Sequence, residues 1–437
     1  MAHYPRVAKD IPPDSAFACP AAGMARTLAE RAGFGQRESY RFQLTVEEFC
    51  LCLMELLPAD DGLGLAMDAK PSRLRAVFSF KATDLSLAGL NLTAQAQACV
   101  EGEPGRGIGL LLAGKAADRF HLEQQGGEAF RLVAEVDRRY PELTPVATPE
   151  EARPPYRLDR QPDPARLCQA AALAMAAYPA GQCPNSFQWP EKFAALVAEG
   201  DKAGLVALDA AGRTVGLLVW TPCSEQALLF SGPYVFAPQP EREDIARLLT
   251  DGFLEAVARD RHVIVLSFRA TADLPAGYFE PLGSLLAGEA SDGHDVPVVF
   301  RHLREDIGAA VWCAPSLQDF LRQAYDRLAM PRDILPVEAP AGRVRRESLL
   351  GASLDRHGDL AELRLFLDGQ DLAANLTAHV AAIRDKGIRR ILYYMDLSRP
   401  WEAAVADDLL RAGFVPRLVL PHGGQSDMVV WQHGQPA

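Results

Sequence analysis

Gly105, Gly107 and Gly109 alternate through the segment Gly105-Arg106-Gly107-Ile108-Gly109, directly before an apolar run that reads as a helix. Glycines at this spacing let successive backbone N–H groups converge on one anion, and a helix N-terminus adds its partial positive charge. The pattern is that of a phosphate cradle, although glycine-rich turns also precede helices that bind nothing. Three carboxylates stand upstream: Glu47 and Glu48 on a predicted helix, and Asp84 after a strand-like run. Each also has a plain structural reading, a solvated helix turn for the glutamates and a cap for the aspartate.

The elements that must position these residues follow from hydrophobic periodicity. Residues 21–31 and 45–57 read as helices, 62–69 and 74–82 as strands, and 108–118 as a helix. A hairpin, 119–124 and 129–136, turns at Gly126-Gly127. In this order, with these residues, the segment 21–136 resembles the histidine-kinase-like (GHKL) ATPase fold, specifically its anti-sigma-factor serine kinase branch. The resemblance implies that Glu47 or Glu48 is the acidic residue of the N box, that Asp84 contacts adenine, and that Gly105, Arg106, Gly107, Ile108 and Gly109 hold phosphate. It implies ATP or ADP as ligand and a sigma factor or an anti-anti-sigma-type regulator as partner. Four residues after the glutamates, where the family carries a magnesium-binding asparagine, stand Leu51 and Cys52. Neither is a hard oxygen ligand, so no metal ligand is assigned, and the expectation is nucleotide binding with little phosphoryl transfer.

Seven prolines lie between Pro141 and Pro164, a stretch that sustains neither a helix nor a central strand and so marks a boundary. Beyond it, the segment 156–304 resembles the GNAT acyltransferase fold: a strand and helix within 155–178, a hairpin ending Val215-Gly216-Leu217-Leu218-Val219, then a strand, loop and helix from Leu228. A strand-helix-strand-helix-strand rhythm returns in 305–437 and points to an internal duplication. The chain also resembles a bacterial architecture in which an anti-sigma-type ATPase domain precedes such a unit. That likeness rests on Trp189-Pro190-Glu191-Lys192, on Val206-Ala207-Leu208-Asp209 leading to Val215-Gly216, and on Ala412-Gly413-Phe414 with Gly424-Gln425-Ser426-Asp427. The expected fold is therefore mixed α/β (α+β), a GHKL-type α/β sandwich followed by two GNAT-like units. The boundaries are 1–140, a linker at 141–155, 156–304 and 305–437.

GNAT enzymes hold the CoA pyrophosphate on a glycine-containing loop that opens the helix after the splayed strand. Here that place reads Pro238-Gln239-Pro240-Glu241-Arg242-Glu243-Asp244, without glycine and with three carboxylates, which opposes a pyrophosphate. The equivalent turn of the second unit, Leu367-Asp368-Gly369-Gln370-Asp371, is no better. Acetyl-CoA is thus disfavoured, and an acyl-CoA-dependent N-acetyltransferase regulated by the N-terminal domain stands as the alternative, with a ligand-free scaffold as the third reading. Tyr393, Tyr394 and His422 are candidate acids for a leaving thiolate, against plain readings as strand packing and a turn residue. His262 and His302 receive no catalytic role, and Trp189, Trp220, Trp312 and Trp431 read as core or interface anchors.

Composition bounds the function. The 437 residues suggest about three units at roughly 150 residues each. A formal net charge of −12 opposes nucleic acid and anionic membrane, and no run approaches the roughly 20 apolar residues of a membrane span. Arg343-Val344-Arg345-Arg346 is too short to reverse this. The eight cysteines show no C-x-x-C pair, and Cys50 and Cys52 point apart on a helix. The expectation is a cytoplasmic regulator without bound metal, free to form homo-oligomers.

Overall fold

The computed structural model describes residues 5–57, 61–82, 87–91, 108–126, 128–148, 151–287, 294–337 and 345–434. These divide into two compact units, one of 1–139, 341–353 and 363–386, the other of 140–340, 354–362 and 387–437. This partition is interleaved along the chain, unlike the consecutive one drawn from sequence.

The first unit holds strands β1 (Arg6–Ile11), β2 (Leu63–Ala69), β3 (Arg73–Lys81), β4 (Arg119–Gly126) and β5 (Ala129–Asp137). They form one sheet in the order β1-β2-β3-β5-β4, antiparallel throughout. Alternate residues of β2 (Leu63, Leu65, Met67) and β5 (Phe130, Leu132, Ala134, Val136) are buried, as a sheet with one covered face requires. Helices α1 (Ala18–Arg31), α2 (Gln36–Met54) and α3 (Ile108–Ala116) contribute to the same core. On α2, Phe42, Val46, Phe49 and Leu53 recur at helical spacing, and Phe49 meets Phe78 of β3 with ring centroids 5.5 Å apart. Two features escaped the sequence reading. Strand β1 was not foreseen, and α2 begins at Gln36 rather than Thr45, because its polar first turns bury only one face.

Strands β15 (Leu349–Asp355) and β16 (Leu360–Leu367) straddle the division, while α8 (Leu372–Asp385) belongs to the first unit. Leu349, Phe366 and Leu367 join the first unit's core. Asn91 clamps this segment, donating to Ser348 O (2.9 Å) and accepting from the Leu350 N–H (3.0 Å). On α8, His379 is fully buried with Nδ1 3.0 Å from Asn375 O and Nε2 unpartnered.

The second unit contains a seven-stranded sheet in the order β11-β12-β10-β9-β8-β7-β6. Its strands are β6 (Arg157–Asp159), β7 (Ala203–Leu208), β8 (Thr214–Pro222), β9 (Ala227–Val235), β10 (Ile264–Ala270), β11 (Glu280–Ala287) and β12 (His294–His302). Only β9 and β10 pair in parallel, so the chain between them must cross over, and α6 (Arg242–Val257) does so. That helix covers one face, packing Ile245, Leu249 and Phe253 against Val215, Leu218 and Phe230. On the other face, α4 (Pro164–Ala177) and α5 (Pro190–Ala198) pack against Val206, Leu217, Val219 and Tyr234. With both faces covered, residues 214–219 of β8 are all buried, which explains their unbroken apolar reading. The edge strand β6 falls within the strand and helix expected at 155–178, whereas the other edge strand, β11, carries Pro281, a placement that edges tolerate and that hid it in the sequence.

Downstream, β13 (Ala309–Cys313) pairs in parallel with β14 (Arg332–Pro336), separated by α7 (Gln318–Leu328). Strands β17 (Arg390–Asp396), β18 (Phe414–Leu420) and β19 (Met428–His433) stand in the order β17-β19-β18, with antiparallel pairs. This repeats β10-β12-β11 of the same unit. Between β17 and β18 stand two short helices, α9 (Pro400–Ala403) and α10 (Ala406–Arg411), interrupted where the Val405 N–H bonds Glu402 O three residues back. Gln432 of β19 bonds both the N–H (3.0 Å) and the carbonyl (2.7 Å) of Leu286 on β11, its amide standing in for a neighbouring strand's backbone.

Two predictions follow from this packing. A Cβ on Gly216 would lie 2.8 Å from Leu249 Cδ1 and 3.1 Å from Tyr234 O, so Gly216→Val will destabilise the second unit by about 1–3 kcal/mol through overpacking, read as a lower urea midpoint. Burial holds the His379 imidazole neutral, with its pKa lowered to about 4. Stability is therefore level above the ordinary imidazole value and falls as the pH drops toward 4, by roughly 3 kcal/mol in all. His379→Leu will flatten that decline in denaturation midpoints measured between pH 7 and pH 4.

Candidate functional site

Of the residues singled out for nucleotide binding, Asp84, Gly105, Arg106 and Gly107 lie outside the described residues. Ile108 is the first residue of α3, and Gly109 follows it. The structure brings Gly109 against α2: a Cβ there would stand 2.9 Å from Glu48 Oε2 and 2.7 Å from Cys52 Sγ. Glu48 and Cys52 are four residues apart and so share a helix face, which selects Glu48 over Glu47 as the glutamate beside the glycine. The Leu110 N–H points at the Cys52 sulfur. Burial, with Glu48 and Glu55 nearby, pushes the Cys52 thiol up to about 11. Burial and then Glu47 raise the Glu48 carboxyl. The position four residues after Glu48 is therefore a neutral thiol, which does not fit a magnesium ion. Among the described residues no group of three or more His, Cys, Asp and Glu is placed to hold a metal.

In the second unit the parallel pair creates the usual crevice of an open α/β sheet, outside the carboxyl ends of β9 and β10. Three side chains lace it together. Arg242 opens α6 after β9, Asp273 follows β10, and Tyr178 ends α4. Arg242 Nε donates to Asp273 Oδ1 at 2.8 Å and Nη2 to Oδ2 at 2.6 Å, a bidentate pair, while Nη1 bonds Ala237 O at 3.0 Å. Arg242 Nη2 also donates to the Tyr178 hydroxyl (2.9 Å), which donates to Asp273 Oδ2 (2.5 Å) and accepts the Val235 N–H (2.6 Å). The phenol is raised, first by burial and then by its bond to Asp273. A CoA pyrophosphate at the start of α6 would meet Asp273, Glu241, Glu243 and Asp244, with the one arginine already committed. These residues do not fit that group.

The remaining sequence candidates are held structurally. The Tyr394 hydroxyl donates to Glu362 at 2.9 Å, and Tyr393 is buried at a ring distance of 6.2 Å from Phe414. His422 takes left-handed backbone (φ 55°) and sits in a buried ion network. Its Nε2 lies 3.1 Å from Asp306, and fully buried Arg332 pairs with both Asp306 and Asp427 at 2.7 Å. Burial opposes the Asp306 charge, yet Arg332 holds that carboxyl at about 2. Sequence reasoning missed this network and the Arg242 bridge alike, because the paired residues are distant in the chain: Arg332 stands 26 residues from Asp306 and 95 from Asp427, and Arg242 stands 31 from Asp273.

No family model matches the chain, and no curated protein matches it. Solved structures similar to part of it include the GNAT family N-acetyltransferase YhbS of Escherichia coli in complex with CoA, at 18% identity over 37% of this chain and 87% of that one, with a TM-score of 0.25. Others are a phosphinothricin acetyltransferase of Sinorhizobium meliloti in complex with AcCoA (16% identity, 34% and 89% covered, TM-score 0.27) and a spermidine/spermine N-acetyltransferase of Vibrio cholerae (16%, 34% and 92%, TM-score 0.25). The mixed α/β class stands on the strand order and helix placement described above, and likeness at these scores bears on neither ligand nor activity. Among the described residues no helix is long and apolar enough to cross a membrane.

The bridge is itself testable. Asp273→Asn leaves the half-buried Arg242 charge without its carboxylate and will cost about 2–3 kcal/mol of stability in urea titrations, whereas the paired change Arg242→Met with Asp273→Leu will recover most of that loss.

Proposed function

We propose that this chain is a regulatory protein whose first unit binds ATP or ADP with little turnover and whose acetyltransferase-like second unit is a non-catalytic binding module. The observation that carries the reading is Gly109 seated against Glu48 and Cys52. The start of α3 faces the acidic residue that the kinase-like resemblance calls for, while the neighbouring ligand position is a protonated thiol. Phosphoryl transfer depends on metal-neutralised phosphate charge, so such a site binds better than it turns over. The anti-sigma-factor resemblance makes a sigma factor or an anti-anti-sigma-type regulator the partner class, in the cytoplasm, with homo-oligomers open to it. The acyltransferase alternative would require the Arg242–Asp273–Tyr178 bridge to open and four carboxylates to accept a pyrophosphate, which the geometry disfavours.

Thermal unfolding tests this. ATP and ADP at millimolar concentration will raise the melting temperature by several degrees, equally in magnesium and in EDTA, and acetyl-CoA will not. Gly109→Val, which fills the space beside Glu48, will abolish the shift, and Cys52→Asn will make it magnesium-dependent. Absence of any nucleotide shift, or a shift with acetyl-CoA alone, overturns the reading.

A further inference from the structure

A cavity of about 540 Å³ opens in the second unit, bounded by residues 142–143, by the last turn of α4, by the turn 185–189 that leads into α5, and by 354–357 at the end of β15. Its volume is that of a small-molecule pocket. The walls are held by contacts of their own. The Leu143 N–H bonds Gln188 O at 2.9 Å, the Trp189 carbonyl accepts the Phe193 N–H at 3.1 Å, and the Lys192 ammonium stands 5.6 Å from the Trp189 ring centre. Across from them, Asp355 Oδ1 accepts the Gly358 N–H at 3.0 Å, and a Cβ on Gly358 would lie 2.6 Å from Asp355 Oδ2, so this turn closes tightly on glycine.

The lining is graded. Leu143, Met175, Trp189 and Leu354 are half-buried and supply an apolar, partly aromatic wall, while Glu142 and Arg356 are exposed and stand on its solvent side. Among the described residues the side chains of Glu142, Asn185, Gln188 and Arg356 make no hydrogen bond or ion pair, so the cavity offers donors and acceptors that the fold does not use. Charge then selects the ligand class. Glu142 and Asp355 oppose an anion, and Arg356 opposes a cation. A neutral apolar molecule would use the wall and none of the charges. A zwitterion with an apolar body uses all of them, its carboxylate matching the forked guanidinium and its ammonium the carboxylates.

We propose that this cavity binds a free amino acid with an apolar or aromatic side chain. Arg356 takes the α-carboxylate, Glu142 and Asp355 take the α-ammonium, and Trp189 with Met175 takes the side chain. Ion pairs on the solvent side contribute modestly, so each charge sets preference among ligands and the wall supplies most of the affinity. The proposal names a ligand for the second unit and stands whether or not the first unit binds nucleotide.

The test is calorimetric titration of the full chain with four probes: L-phenylalanine, L-phenylalaninamide, which lacks the carboxylate, N-acetyl-L-phenylalanine, which lacks the ammonium, and glycine, which lacks the side chain. L-phenylalanine should bind with a submillimolar Kd, the two singly charged probes several-fold more weakly, and glycine without detectable heat. Arg356→Gln should erase the preference for L-phenylalanine over its amide and keep the preference over the N-acetyl form, and Glu142→Gln should do the reverse. Both residues are exposed, so these variants will fold. Trp189→Ala should weaken all three phenyl probes together, and Met175→Ala supplies the same comparison should Trp189→Ala fail to fold. The proposal is overturned if L-phenylalanine gives no binding heat, if the three phenyl probes bind alike to the wild type, or if neither charge variant changes the order of preference.

Discussion

Parallel pairing of β9 with β10 is the constraint from which the second unit follows. Two parallel neighbours cannot be joined by a tight turn, so α6 must cross the sheet, and its close seat requires that β8 present no side chain at Gly216. Covering that face leaves the opposite one to α4 and α5, whose alanine-rich α4 lets helix and sheet approach closely. The crossover also fixes where a ligand would enter such a sheet, at the carboxyl ends of the parallel strands. In this chain that entrance is bridged by Arg242 and Asp273, one from each strand's outgoing segment. The same topology that creates a cofactor crevice therefore supplies the two attachment points that close it.

Buried charge is handled differently in the two units. Beside Gly109, burial keeps Cys52 protonated and raises the Glu48 carboxyl. In the second unit permanent charge is met internally: the buried Arg332 guanidinium pairs with both Asp306 and Asp427, and Arg242 with Asp273.

How much of this was legible in the sequence depended on the range of the interaction. Local periodicity placed most long elements within a few residues, including β2, expected at 62–69 and observed at Leu63–Ala69, because period-two and helical burial patterns are written in consecutive residues. The edge strand β11 was lost: it carries Pro281 and Gly283, which read as breakers although an edge needs only one neighbour. The helix-face relation of Glu48 to Cys52 was available from spacing, but which of two adjacent glutamates faces Gly109 required the packing of α2 on α3. Arg242 was read as one residue of an acidic loop, since nothing in its neighbourhood announces Asp273.

The crevice carries its own counter-charge. The N-terminus of a crossover helix is where an open α/β sheet receives an anion, and there Arg242 is paired bidentately with Asp273, so an ion pair already satisfies the charge that a ligand phosphate would meet.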